Sequence, residues 1–152
     1  MNKRMIDELI PIAYDVLADV ESVSQDESGK SITNKIVNNG VIDKKFRSQI
    51  SAFGASIATS SLPAAISFFS KQGGSDVPRE LLIKAICELN KRYKNVESTK
   101  ALNEPVDLFN YVNNAPNKHE IKEKIINCAI ALKLAMNLYK LKEEKPNESK
   151  EV

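Results

Sequence analysis

Lys118-His119-Glu120-Ile121-Lys122-Glu123-Lys124-Ile125-Ile126-Asn127-Cys128-Ala129-Ile130-Ala131-Leu132-Lys133-Leu134-Ala135-Met136-Asn137-Leu138-Tyr139-Lys140-Leu141-Lys142-Glu143-Glu144 is the stretch on which the reading of the fold turns. Ile121, Ile125, Cys128, Leu132, Ala135 and Tyr139 recur at alternating spacings of four and three. At about 100° per residue this lays them along one side of an α-helix. A second stripe, Ile126, Ile130, Leu134, Leu138 and Leu141, lines another side. One apolar stripe is enough for a helix that covers a single core. Two stripes predict a helix that is central in a bundle or docks a partner, and the second stripe is the candidate protein interface. Lys122, Lys133 and Lys140 fall between the stripes, within about 20° of one another on the wheel, as a basic row. Two readings of that row are open: lysine stems snorkelling from a partly buried helix into water, and contact with phosphate.

The same helical period recurs upstream. Ile6, Leu9, Ile10, Ala13, Leu17 and Val20 predict a first helix over about residues 2–23, with a kink or late start expected at Pro11. Residues 24–40 are rich in Ser, Asn, Asp and Gly and read as a mobile connection. Asp43 offers an N-cap ahead of Phe46, Ile50, Phe53 and Ile57. Pro63 suits the first turn of a short helix through Ile66, Phe68 and Phe69 that Gly73-Gly74 ends. Asp76 and Pro78 precede Leu82, Ala85, Ile86, Leu89 and Tyr93, and Asn103 and Pro105 open a segment through Leu108, Phe109 and Val112. No period-two pattern persists. The expectation is therefore all-α: a compact bundle of about five or six helices over residues 1–145, with 146–152 a disordered polar tail.

With 152 residues, 42% of them hydrophobic, the chain has the usual size of one domain. It holds no apolar run of about 18 residues, and its N-terminus lacks a signal-peptide stretch. A cytoplasmic protein is expected. Cys87 and Cys128 sit inside apolar helical patterns without zinc-site spacing and read as buried thiols; the single His119 has no second imidazole to share a metal with. Net charge is only +2, but residues 1–29 carry two cations against seven carboxylates, −5, which leaves +7 on the remainder. That asymmetry suits an acidic end meeting protein and a basic flank meeting an anion, and equally suits solvated helix faces of mixed charge.

Catalytic parts are scarce. There is no nucleophile elbow, no paired histidines and no phosphate loop ending in Gly-Lys-Ser. A phosphate-binding face asks for less, since it needs only cations aimed one way. The candidates are Lys44, Lys45 and Arg47 at the start of the second helix, Lys71 after the third, Lys84, Lys91, Arg92 and Lys94 in the fourth, and the Lys122, Lys133, Lys140 row. Phe46, Phe53, Phe68 and Phe69 sit at core spacings and do not interleave with these cations, so backbone contact is expected and base stacking is not. No metal site and no cofactor are expected.

The run Lys44-Lys45-Phe46-Arg47-Ser48-Gln49-Ile50-Ser51-Ala52-Phe53-Gly54-Ala55-Ser56-Ile57-Ala58-Thr59-Ser60-Ser61-Leu62-Pro63-Ala64-Ala65-Ile66-Ser67-Phe68-Phe69-Ser70-Lys71 resembles the hallmark region of the small subunit of the CRISPR-associated Cmr (type III-B) RNA-targeting complex. An aromatic-Arg-Ser helix leads through Phe-Gly to Leu-Pro-Ala and then to an aromatic pair and Ser-Lys. Looser matches are Ala13-Tyr14 with Val16-Leu17, Leu81-Leu82, and Ala131–Ala135 with Tyr139-Lys140. The chain departs from the pattern at Ser61-Leu62, where many relatives carry Gly-Leu. The resemblance implies an all-helical subunit without an active site that serves in antiviral RNA silencing. Its implied partners are the backbone subunits, neighbouring copies of itself, and guide and target RNA. Two neighbouring readings are the small subunit of a type III-A (Csm) complex and a helical adaptor that binds only protein.

Overall fold

The computed structural model describes residues 1–71, 77–94 and 99–142. Asn2 begins the first helix by accepting the Met5 amide on its side-chain oxygen at 3.0 Å, and α1 spans Lys3–Asp19. Such a cap is worth about 1 kcal/mol. Pro11 does not end this helix. It lies on the exposed side, and so does Asp7, whose carbonyl loses the proline N–H as a partner and faces water instead. Leu9, Ala13, Val16 and Leu17 supply the buried stripe.

Where the sequence reads as a mobile connection, the chain forms strands. β1 (Glu21–Gln25) and β2 (Ser31–Lys35) make an antiparallel hairpin in the register Glu21↔Lys35 to Gln25↔Ser31. Its turn is tied by Asp26, whose Oδ1 accepts the Ser28 and Lys30 amides at 2.9 and 2.8 Å, and Gly29 takes φ +86°. β3 (Val37–Asn38) and β4 (Val41–Asp43) follow, joined through Asn39 and Gly40 at φ +53° and +76°. Positive φ at both central residues of a two-residue loop matches the twist of a hairpin.

β4 runs straight into α2 (Lys44–Thr59), with Asp43 accepting the Lys45 amide at 2.9 Å as its cap. α3 (Leu62–Phe69) starts at Ser61, which caps Ala64 N–H at 3.2 Å. α4 is Glu80–Arg92, α5 is Pro105–Asn114 and α6 is Lys118–Met136. β5 (Lys140–Lys142) ends the described chain and pairs in parallel with β4, which sits between β3 and β5 in a three-stranded sheet.

α6 is the hub: it packs against α1, α2, α4 and α5, while α3 seals the other side of α2 against α5. Ile125, Cys128, Ala131, Leu132, Ala135 and Met136 are fully buried, and Phe53 meets Phe69 edge-on at 5.4 Å beside them in the core cluster. Of the two roles open for a doubly apolar helix, the central one is observed.

The all-α expectation is overturned. Six helices are present among the described residues, together with two sheets of five strands, so the fold is mixed α and β. The last helix ends eight residues early because Met136 is followed by a turn whose Tyr139 stacks on Tyr14 at 4.5 Å and donates its hydroxyl to the Tyr14 carbonyl at 2.6 Å. That contact turns the chain toward β4. The expected Gly73-Gly74 stop, the Asp76 cap and the 146–152 tail lie outside the described residues. Among the described residues, no helix is long and apolar enough to cross a membrane.

Candidate nucleic-acid interface

β4 and β5 create the first cluster of cations. In their parallel register Val41 faces Lys140, Ile42 faces Leu141 and Asp43 faces Lys142, with Lys140 N–H donating to the Gly40 carbonyl at 3.3 Å. Alternation along a strand sends Leu141 inward over buried Ile42 and leaves Lys140 and Lys142 outward. Lys44 comes next after Asp43 and is exposed; Lys45 and Arg47 follow in the same turn and are partly buried. Lys44, Lys45, Arg47, Lys140 and Lys142 thus meet at one end of the molecule. Lys142 was not among the sequence candidates. Its signal is the Lys-Leu-Lys alternation, which is legible only once the helix is known to stop.

This cluster sits on the wrong end of a helix. The first turn of α2 carries no carboxylate, and each lysine placed at a helix N-terminus costs about 0.3–1 kcal/mol against the macrodipole. Asp43 offsets part of that cost. An anion bound here would meet the dipole and the ammonium groups with the same sign. The Nε of Arg47 is buried without a hydrogen-bond partner.

α2 and α6 pack antiparallel, since β5 follows α6 and lies beside the strand that leads into α2. Lys133, in the last turn of α6, therefore belongs to the same end as Lys44. Lys122 lies eleven residues, about 16 Å, away toward the other end. There it lines a cavity of about 320 Å³ with Lys118, Ser60 and Ser61 at the α2–α3 junction. Lys140 does not share their helix wheel, because α6 ends at Met136; it rejoins the row through the sheet. Lys71 stands apart, exposed at the end of α3.

Lys91 and Arg92 are engaged inside the molecule. Arg92 pairs with Asp19 of α1 at 2.8 Å and with Glu88 at 2.9 Å, and Lys91 meets Glu88 at 3.6 Å and Asn103 Oδ1 at 2.6 Å. Burial works against the Arg92 charge, but the hydrogen bonds to Asp19 and Glu88 outweigh it and raise the guanidinium pKa. By contrast, Lys44, Lys71, Lys122, Lys133, Lys140 and Lys142 have no ion pair among the described residues. Part of the acidic N-terminal segment is also used internally: Glu8 accepts the Tyr93 hydroxyl at 2.7 Å, which lowers its pKa first of all, and meets Arg4 at 3.5 Å.

The second apolar stripe divides. Ile126, Ile130 and Leu141 are partly buried against the core, whereas Leu134 and Leu138 are 42% and 63% exposed. Phe68 is 56% exposed, although its spacing reads as core, and the Arg79 guanidinium lies over its ring at 4.7 Å. Only the fold separates it from buried Phe69. Comparison of the chain with protein-family models, with curated proteins and with solved structures finds no match.

Proposed function

We propose that this chain is a non-catalytic subunit of a CRISPR type III-B (Cmr) ribonucleoprotein that holds the sugar-phosphate backbone of RNA along the α2–α6 face. One observation carries the RNA contact: among the lysines with no ion pair in the described residues, Lys122, Lys133, Lys140, Lys142 and Lys44 follow one path along the α2–α6 face. Cations left unpaired in a row suit a ligand that brings its own negative charge. The assignment to a Cmr complex is supported by the ordered resemblance of Lys44–Lys71, which forms α2, the Ser60-Ser61 junction and α3. The hairpin and the three-stranded sheet lie outside that stretch.

On this reading Lys91 and Arg92 hold α4 to α1 and do not contact RNA, while Leu134 and Leu138 offer the apolar contact to a neighbouring subunit. The test is charge reversal of Lys133 and Lys140 to Glu, followed by reconstitution with the other subunits and guide RNA. Weakened assembly or lost RNA retention is expected. Wild-type assembly together with wild-type target cleavage would sink the proposal.

A further inference from the structure

A second, larger cavity of about 1060 Å³ opens on the other side of α6, between the end of α4 and α5. Lys124 and Asn127 in its wall stand about 140–200° around the helix from Lys122, so it does not belong to the phosphate path. Its size is just above the range for small-molecule sites, about 300–1,000 Å³.

Its lining combines three kinds of group. Tyr93 carries the Lys94 ammonium over its ring at 5.3 Å, whereas the Lys124 ammonium sits beyond the Tyr111 hydroxyl, 5.5 Å from the ring centre, and leaves the ring face open. Both hydroxyls are tied back, Tyr93 donating to Glu8 at 2.7 Å and Tyr111 accepting from Lys124 at 3.0 Å, so the rings are held in place. Asn110 and Asn114 follow one another by one turn of α5, flanking Tyr111, and their side-chain amides have no partner among the described residues. An amide presents a donor and an acceptor together, the pattern that matches the edge of a base. Glu120 adds a carboxylate, the usual acceptor for ribose hydroxyls.

Lys94 is the least expected part. It takes φ +56° just beyond the last turn of α4, in the left-handed position where helices place glycine. A lysine accepts strain there, and its ammonium lies at the cavity wall.

We propose that this cavity binds a nucleoside phosphate, with the base on the Tyr111 ring, its edge at Asn110 and Asn114, and the phosphate at Lys94. The same chemistry is offered by a free mononucleotide and by one unstacked nucleotide of a bound RNA. The site does not depend on the Cmr assignment.

Calorimetric titration of the full chain with the four ribonucleoside monophosphates and with short RNA oligonucleotides tests it, alongside Tyr111→Ala, Tyr111→Phe and Lys94→Gly. Loss of one base stack predicts binding about 5- to 150-fold weaker in Tyr111→Ala, with Tyr111→Phe close to wild type. Lys94→Gly relieves the backbone strain, so its melting temperature rises while nucleotide affinity falls; this variant decides the matter if Tyr111→Ala fails to fold. Binding of mononucleotides with this pattern assigns the site to a free nucleotide, and the pattern with oligonucleotides alone assigns it to RNA. No binding of either ligand, or binding that Lys94→Gly leaves unchanged, overturns the proposal.

Discussion

Replacing Lys44, Lys140 and Lys142 together by Gln removes three ammonium groups that make no ion pair among the described residues, and the effect on RNA binding follows from counterion release. Each phosphate contact on a single strand contributes about 0.7 to the slope of log K against log salt, so three contribute about 2. Between 50 and 200 mM salt, a fourfold change, the wild type should then lose about 20-fold more affinity than the triple variant. Filter binding of a single-stranded RNA across that range measures both slopes. The matched control is Lys91→Gln with Arg92→Gln, two cations already committed to Glu88 and Asp19. Here the RNA slope should stay at the wild-type value while stability falls. These side chains remain 28–55% exposed, so water screens each pair to about 0.2–1 kcal/mol; a loss of about 1 kcal/mol lowers the melting temperature by roughly 2–4 °C. Equal slopes for wild type and triple variant, or a slope reduced by the Lys91/Arg92 control, would refute the division between free and engaged cations.

Other outcomes follow from the same structure. Lys44→Glu replaces a first-turn cation with a carboxylate and should stabilise the protein by about 0.5 kcal/mol or more while weakening RNA binding, as thermal melts and filter binding would show. Phe53→Ala empties a fully buried site against Phe69 and should cost about 3–5 kcal/mol in urea denaturation. Burial pushes the Cys87 and Cys128 thiols up to about 12 from 9.0. Their protonated form therefore contributes stability below about pH 9 that is lost as pH rises toward 12. At pH 8 a thiol reagent should find no fast-reacting cysteine in the native chain and two after denaturation, whereas immediate reaction of the native chain would contradict the packing. Gly40→Ala at φ +76° should cost about 1 kcal/mol by strain, because a Cβ there meets open space and no clash contributes.

The helices were legible because their apolar residues repeat at three and four and their caps stand at the right places, as with Asp43 before Phe46 and Asn117 before Ile121. The strands were not, for two reasons. β1 and β2 are exposed on nearly every residue, so no face of the hairpin had to be apolar and no alternation was written. β3 and β4 are too short for periodicity, yet Asn39-Gly40 is the dipeptide that favours a tight hairpin and was a usable local signal. Lys140 and Leu141 continued the helical pattern of the preceding residues by coincidence; the Tyr14–Tyr139 contact that ends it joins residues 125 apart. In the candidate site, residue type identified the cations. Which of them were spent internally was a tertiary fact, since the carboxylate that holds Arg92 to α1 lies 73 residues away in Asp19.

Affinity purification of the tagged chain from its own host, with co-purifying proteins identified and bound RNA sequenced, tests the central claim most directly. The account predicts recovery of backbone subunits of a CRISPR effector and short guide RNAs, lost together when Lys133 and Lys140 are reversed to Glu. Recovery of unrelated proteins without RNA would contradict it.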